Sequence, residues 1–598
     1  DPLGTFENAL LQSAGQSPFQ FSGPCVSLRA PVDGLHYCAL FIQSNESMGA
    51  TGAMPITNAL KKARHSVLAL DSDARIHSAG VTLISEEAAS TASSEATLIG
   101  SISAVAILLL VILFFAQLTP VLITLTALAA SLLFASACVV NLFGEIHILT
   151  LVFGATLLGI CVDYVFHMLC ATATGLSGSQ AKAKLFQPLS LSLLTTCIGY
   201  AVMAFSPMPG LRQMAVFCIT GLFAAYVNVL FVASHYMSAA QPTRTATAFA
   251  RGFARLPRIN GTNKTIFIAA LLIASTVGIL QLKTQNELAL LNRIPAELMS
   301  DVQFVGRALS PASPGQLFVI QGSDSESVLQ RNETLQKRLA QLTADGIIGM
   351  SPNPAALLPS LKSQRQTQAL TTKANRRALE LTEKTLESDF PAPIESGVLL
   401  TPEIFKRIAP ASLTRFWLSD TSLLVPLSGV TAESLPYLQK LASEIKGVRF
   451  VNTTAEVAES LATYRNGVLY TLLFALGVIA VILALSLGRR FLHFWMPTAL
   501  SIVLTLGVCG FAGMPFSLFS VLPLVLVVGL GVDYAIILYS EANPIAARNS
   551  VFLAASSTLL AFGLLAFSST PALHIFGLTL LIAMASVLLT TVLLRPET

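Results

Sequence analysis

The residues best suited to chemistry are two acids placed where a carboxylate is hardest to keep. Gly159-Ile160-Cys161-Val162-Asp163-Tyr164 recurs 370 residues later as Gly529-Leu530-Gly531-Val532-Asp533-Tyr534, each copy inside a long apolar run. On insertion scales an acid at the centre of a membrane helix costs about 2.5 to 3.5 kcal/mol, so two kept at matched places point to a use. Desolvation favours the neutral form of a carboxyl group, so a buried acid can take up and release a proton reversibly. Neutral and ionised forms prefer different surroundings, so protonation can bias one packing of two halves over another.

The neighbours of each acid fit that chemistry. Tyr164 and Tyr534 follow the acids directly, and facing helices could match each Asp with the Tyr of the other copy. Gly159 and Gly529 lie four residues earlier on the same face, where small residues let helices approach closely. Thr195, Thr196, Ser557 and Thr558 occupy matched places on the next spans, as hydroxyl donors to the acids or as helix-packing groups. His167, one turn beyond Asp163, has Ile537 as its counterpart; it reads as a histidine near the cytoplasmic end of its helix, with tuning of the acid as the other reading. The competing account of the whole constellation is that the Asp-Tyr pairs only glue helices together.

The elements that must position these residues are membrane spans. The chain has 598 residues, 53% of them hydrophobic and only 11% charged, which excludes a single soluble core. Runs long enough to cross a bilayer fall at 98–117, 119–141, 148–172, 189–206, 213–236, 264–282, 465–487, 492–512, 517–540, 549–568 and 573–594. Lys182, Lys184, Arg244, Arg251, Arg255, Arg258, Lys264, Arg489, Arg490, Arg548 and Arg595 all fall on one side by alternation, while the opposite short loops hold little beyond Arg212. The positive-inside rule then predicts a cytoplasmic C-terminus and external soluble segments. A net charge of +4 is too small to argue for nucleic acid.

The expected fold is a polytopic α-helical membrane protein with parallel repeats and α+β periplasmic domains. Ala204-Phe205-Ser206, Pro209 and Leu211 match Ala566-Phe567-Ser568, Pro571 and Leu573 at an offset of 362, which extends the repeat. The predicted organisation is the end of a first external domain (1–97), five helices (98–236), a basic linker (237–263), one helix opening the second repeat (264–282), a second external domain (283–464) and five more helices (465–598). That makes 11 transmembrane helices here; symmetry predicts a twelfth in a longer parent, with the front of the first domain.

Short runs at Gln316–Ile320, Gly346–Met350, Ser422–Leu427 and Val448–Val451 read as strands of the second domain. Asp324–Leu342, Gln364–Ser388 and Glu433–Ile445 have helical spacing, the middle one as a solvated helix. In the first domain, strands are expected near Cys25–Arg29 and Tyr37–Ile42 around a turn at Pro31–Gly34, with a helix near Pro55–Ala69. Arg75–His77 resembles Val448–Val451 as a strand leading into a span. Cys25 and Cys38 sit off register across that turn and read as two thiols rather than a bridge. The linker, with Phe249 and Phe253 one turn apart, reads equally as an amphipathic surface helix or a basic topogenic loop.

Five spans after each external domain, with Gly-x-x-x-Asp-Tyr in both copies, resemble the resistance-nodulation-division superfamily and, more narrowly, its MMPL branch. The resemblance covers the whole chain. It implies a proton-motive-force-driven exporter of lipids or other hydrophobic amphiphiles in a bacterial inner membrane, with Asp163, Tyr164, Asp533 and Tyr534 as the proton relay. The Asp-Asp pair and the Lys of the drug-efflux relatives are missing. Asp1-Pro2-Leu3-Gly4 and Asp33-Gly34-Leu35-His36-Tyr37 are similar to proteobacterial MMPL-type proteins encoded with fatty-acid or aryl-polyene biosynthesis, which implies an acyl or polyene lipid.

The expected energy source is the proton gradient, with no cofactor, no metal and no phosphate-binding run. No nucleophile motif argues for an enzyme. Membrane lipids and a lipid-like substrate are the expected partners, with a homo-oligomer or a periplasmic carrier protein left open. The alternative function is a lipid- or sterol-sensing or protein-translocation accessory on the same scaffold, without export.

Overall fold

The computed structural model describes residues 19–22, 25–29, 36–40, 55–205, 208–237, 243, 262–285, 295–309, 312–349, 358–387, 399–408, 416–540 and 543–595. Nearly all of the 237–263 linker, with Phe249 and Phe253, lies outside them, as do Asp1–Gly4 and the turn expected at Pro31–Gly34. The chain forms two compact units, 1–46 with 67–80 and 295–456, and 47–66 with 81–294 and 457–598.

Along the chain the elements are β1 (Phe19–Ser22), β2 (Cys25–Arg29), β3 (His36–Ala39), α1 (Pro55–Leu70), α2 (Val81–Phe115), α3 (Leu118–Phe143), α4 (Ile148–Thr172), α5 (Gly178–Met203), α6 (Pro209–Val227), α7 (Thr262–Ile279), β4 (Lys283–Thr284), α8 (Ala296–Leu309), β5 (Ala312–Gln321), α9 (Ser325–Ala344), α10 (Leu361–Leu386), α11 (Pro402–Ile408), β6 (Trp417–Ser419), β7 (Ser422–Ser428), α12 (Leu435–Glu444), β8 (Val448–Asn452), α13 (Thr453–Leu487), α14 (Phe491–Phe511), β9 (Pro515–Phe516), α15 (Leu518–Ser540), α16 (Pro544–Gly563) and α17 (Pro571–Leu593).

In the first unit, β5 lies between β7 and β8 in an antiparallel sheet of order β6-β7-β5-β8. Alternation along the strands turns Phe318, Ile320, Leu423, Val425 and Leu427 into one core with Val328, Leu329, Leu335 and Leu339 of α9 and Leu438 and Leu441 of α12. This is the α+β arrangement expected. Of the strand expected at Gly346–Met350, Met350 lies outside the described residues and 346–349 form the turn that ends α9, because Gly346 takes φ +71° and Ile347 N–H caps Leu342 O at 2.9 Å. Arg75–His77 is likewise irregular. Instead, His77 pairs with Asp301 of α8 at 2.7 Å and stacks on Phe304 at 4.0 Å, which takes it out of any ladder.

β2 and β3 pair as a hairpin in which Ser27 stands opposite Cys38, so the register offers Cys25 no partner there. The four-residue β1 on its far side was not read from the sequence. α10 buries none of its residues, as a solvated helix should.

In the second unit, eight helical stretches among the described residues are long and apolar enough to cross a membrane: 83–115, 118–143, 178–203, 209–235, 453–511, 518–539, 544–567 and 571–593. The 59-residue stretch contains α13 and α14, separated at Gly488–Arg490 by a 3₁₀ turn whose glycine has φ +58°. Shorter apolar helices cover 159–172, within α4, and 263–279, within α7. Local signals fix several ends. Ser177 and Gln180 form a capping box that starts α5 eleven residues ahead of the expected span, and Pro544 and Pro571 stand in the first turns of α16 and α17.

α15 is the centre of this unit. Its sequence is hydrophobic all round, and 94% of its apolar window is buried against α5, α14, α16 and α17. α4 packs against α2, α3, α6 and α16. Each acid-bearing helix is therefore seated on a helix of the other repeat: α4 on α16, and α15 on α5.

Candidate functional site

The crossed seating is set by missing side chains. A Cβ at Gly159 would lie 2.7 Å from Ala561 Cβ and 3.1 Å from Ser557 O of α16; one at Gly529 would lie 2.8 Å from Thr196 Cα of α5. At those separations only glycine fits without moving a helix. Ala561 and Gly199 are the small residues on the opposing faces, one turn beyond the hydroxyls at the 362 offset, and neither was singled out from the sequence.

Asp163 and Asp533 are each the sixteenth residue of their helices, and both are buried, with exposures of 8% and 9%. Their partners are hydroxyls of the opposite repeat. Ser557 Oγ lies 3.2 Å from Asp163 Oδ1. Thr196 Oγ1 donates to Asp533 Oδ2 at 2.8 Å, and Thr195 Oγ1 lies 3.3 Å from Oδ1. The Ser192 hydroxyl, which sequence reasoning missed, lies near the Asp533 carboxyl, one turn away on α5.

The tyrosines hold other positions than the expected Asp-Tyr hydrogen bonds. Tyr534 is fully buried and near Asp163, but its hydroxyl faces Thr558 without closing a hydrogen bond to it, and both hydroxyls lack a partner among the described residues. Tyr164 is near Asp533 and packs edge-on against Tyr226, with ring centroids 5.8 Å apart. The cross-repeat proximity of each Tyr to the other copy's Asp is thus present; the donors on the carboxylates are Ser and Thr.

His167 lies near the C-terminal end of α4, and it is buried in the protein. It is 5% exposed, a turn and a half before the end of α4, because neighbouring helices cover that face, and its Nδ1 has no partner among the described residues. No group of three or more His, Cys, Asp or Glu residues suited to a metal ion occurs among the described residues.

The arrangement joins two acids to opposite repeats through hydroxyl contacts of 3.2 and 2.8 Å. Adding or removing a proton changes what each hydroxyl must do: it donates to a carboxylate, and it can accept from a carboxylic acid. The interface between repeats therefore carries groups whose bonding depends on protonation.

No family model and no curated protein matches this chain. Among solved structures, the hedgehog release protein Disp from the water bear Hypsibius dujardini aligns over 91% of this chain and 74% of its own, with a TM-score of 0.56 and 12% identity. SecDF, a translocon-associated membrane protein from Thermus thermophilus, aligns over 99% of this chain and 73% of its own, with a TM-score of 0.48 and 14% identity. The likeness to Disp is one of fold. Together with the apolar helices it makes this chain a multi-pass membrane protein.

Proposed function

We propose that the chain is a proton-motive-force-driven exporter of the resistance-nodulation-division superfamily, of the MMPL type, moving a lipid-like amphiphile out of a bacterial inner membrane. In this reading eleven helices cross the bilayer, the α+β domains are periplasmic and the C-terminus is cytoplasmic. Asp163 and Asp533 bind the protons, and the hydroxyls of Ser557, Thr195 and Thr196 stabilise the ionised forms across the repeat interface. Tyr164 and Tyr534 line the same interface. The observation that carries the reading is the pair of buried acids, each bonded to the repeat that does not contain it. A proton moving down a gradient of 100 mV supplies about 2.3 kcal/mol, enough to bias two packings of such an interface.

A deletion strain complemented with the wild-type chain or with Asp163→Asn/Asp533→Asn tests this by mass spectrometry of envelope lipids. The wild type should restore the exported lipid, and the double variant, present at equal level, should not. Full restoration by the double variant overturns the proposal.

The likeness to a hedgehog release protein favours a second reading, in which the same scaffold senses lipid or assists movement of a protein. In that case purified chain binds lipid while the deletion leaves envelope lipids unchanged.

A further inference from the structure

The two acids sit in equivalent helices but in unequal company. Asp533 is held by Thr195 and Thr196, with Ser192 beside them, whereas among the described residues Asp163 has Ser557 alone among hydroxyls bonded to it. Around Asp163 lie polar atoms without partners among the described residues: Tyr534 OH, Thr558 Oγ1 and His167 Nδ1. Ser103 Oγ, also without one, sits on the buried seam of α2, the helix that packs against both α4 and α16.

The repeat-related groups differ. Thr196, the counterpart of Thr558, is bonded to Asp533, and His167 is replaced by Ile537. Since α2 and α13 are both 35 residues long, Ser103 corresponds to Ala475. Buried polar atoms are rarely left unpaired in native proteins, and those without protein partners are met by internal water.

From these observations we infer that Asp163 is the proton-exchanging acid of the pair, that His167 passes its proton toward the C-terminal end of α4, and that Asp533 is the acid held in place. This rests on the proton-coupled reading above and assigns unequal parts within it. Asp163 and His167 are spaced i, i+4 on one helix face, where Cβ atoms are about 5 to 6 Å apart, and since the two make no direct hydrogen bond the transfer runs through water. In the transfer the carboxyl O–H bond breaks and an imidazole N–H bond forms, leaving carboxylate and imidazolium; the imidazolium then gives its proton to water. The Ser557 hydroxyl donates to the carboxylate that remains. In the second repeat Ile537 can neither accept nor release a proton, so the same step has no carrier there.

Infrared spectroscopy of the full chain in lipid, at a pH low enough to protonate both carboxyls, reads this directly. On transfer from H₂O to D₂O each carboxyl C=O band shifts when its proton exchanges, and Asp163→Asn and Asp533→Asn assign the bands. Asp163 should exchange faster than Asp533 by about a hundredfold, the low end of what a positioned proton-transfer group contributes. His167→Ile, which installs the residue of the other repeat, should remove that advantage and leave the Asp533 band unchanged. His167→Gln should slow Asp163 as well, and it provides the reading if the Ile variant fails to fold.

Equal exchange of the two acids, or an Asp163 rate indifferent to both His167 variants, overturns the inference. The outcome is separate from that of the lipid assay. Loss of export in the double Asn variant with equal exchange defeats only the unequal roles; unequal exchange with export intact in that variant defeats only the exporter.

Discussion

Ser557 and Asp163 lie 394 residues apart in sequence and 3.2 Å apart across the contact between α16 and α4. The hydroxyl also lies 2.8 Å from Ala554 O and 3.2 Å from Gly159 O, so it chooses among a carboxylate and two carbonyls. Thr196 at Asp533 is held at 2.8 Å and has Thr195 beside it. The contact at Asp163 is the looser of the two.

That difference predicts unequal costs of removing the hydroxyls. Interhelical hydrogen bonds in membranes average about 0.6 kcal/mol and reach about 1.7 kcal/mol, and the shorter, charge-assisted contact belongs near the upper value. Thr196→Ala should therefore lower the melting temperature of the chain in detergent more than Ser557→Ala does. Thr196→Ser, which keeps the hydroxyl, should restore most of the loss. Equal melting of the two alanine variants would show that the asymmetry has no energetic weight.

The close approach at Gly159 predicts a specific suppressor. A methyl group there meets Ala561 Cβ at 2.7 Å, so Gly159→Ala must push α4 from α16 at a cost of about 1 to 3 kcal/mol. Ala561→Gly removes the atom in the way. The double variant should regain most of the melting temperature lost by Gly159→Ala, whereas Gly529→Ala, blocked by Thr196 backbone and side chain, should gain nothing from Ala561→Gly. Melting curves of the four variants decide it.

The acids were legible in the sequence because a carboxylate in an apolar run is expensive and this one appears twice. Which of the candidate donors, the tyrosines or the Ser and Thr hydroxyls, would face them was not. Tyr164 and Thr195 are equally good donors on paper, and the choice depends on the rotation of α5 about its axis, set by contacts such as Thr196 against Gly529. The burial of His167 was not legible for a related reason: it comes from helices that pack on α4 from elsewhere in the chain. Residues 346–350 looked like a strand because five residues rich in apolar side chains carry no period that separates a strand from a helix's closing turn.

Glu95, which the sequence reading passed over, predicts a contribution from an unexpected cap. Its carboxylate on α2 accepts from Ser569 N–H at 2.9 Å and Thr570 Oγ1 at 3.3 Å, and from the Ser568 and Ser569 hydroxyls, at the N-terminus of α17. An anion there accepts from an N–H just ahead of the helix and complements the helix dipole. Glu95→Ala should cost about 0.5 to 2 kcal/mol, the range for a lost N-cap, and Glu95→Gln should cost less because the amide oxygen still accepts. Hydrogen exchange at Ser569 N–H should rise in the alanine variant alone.

The α+β domain predicts a pH dependence of its own. Burial raises the pKa of Glu326, but hydrogen bonds from the Gln330 side chain and from the backbone N–H groups of Leu361 and Lys362 outweigh it and hold the carboxyl below its ordinary value. With the folded value depressed, the unfolded state binds more protons between the two values. Stability from this contact is therefore complete above the ordinary glutamate range and is lost as pH falls through the folded value. Because Glu326 of α9 caps the first turn of α10, that turn should loosen on acidification. Amide exchange at Leu361 and Lys362, corrected for intrinsic rates, should be slow at neutral pH and accelerate below about pH 4. Glu326→Gln should make it fast and nearly independent of pH over the same range. If Glu326→Gln leaves protection of both amides at neutral pH as in the wild type, the carboxylate is not what holds α10.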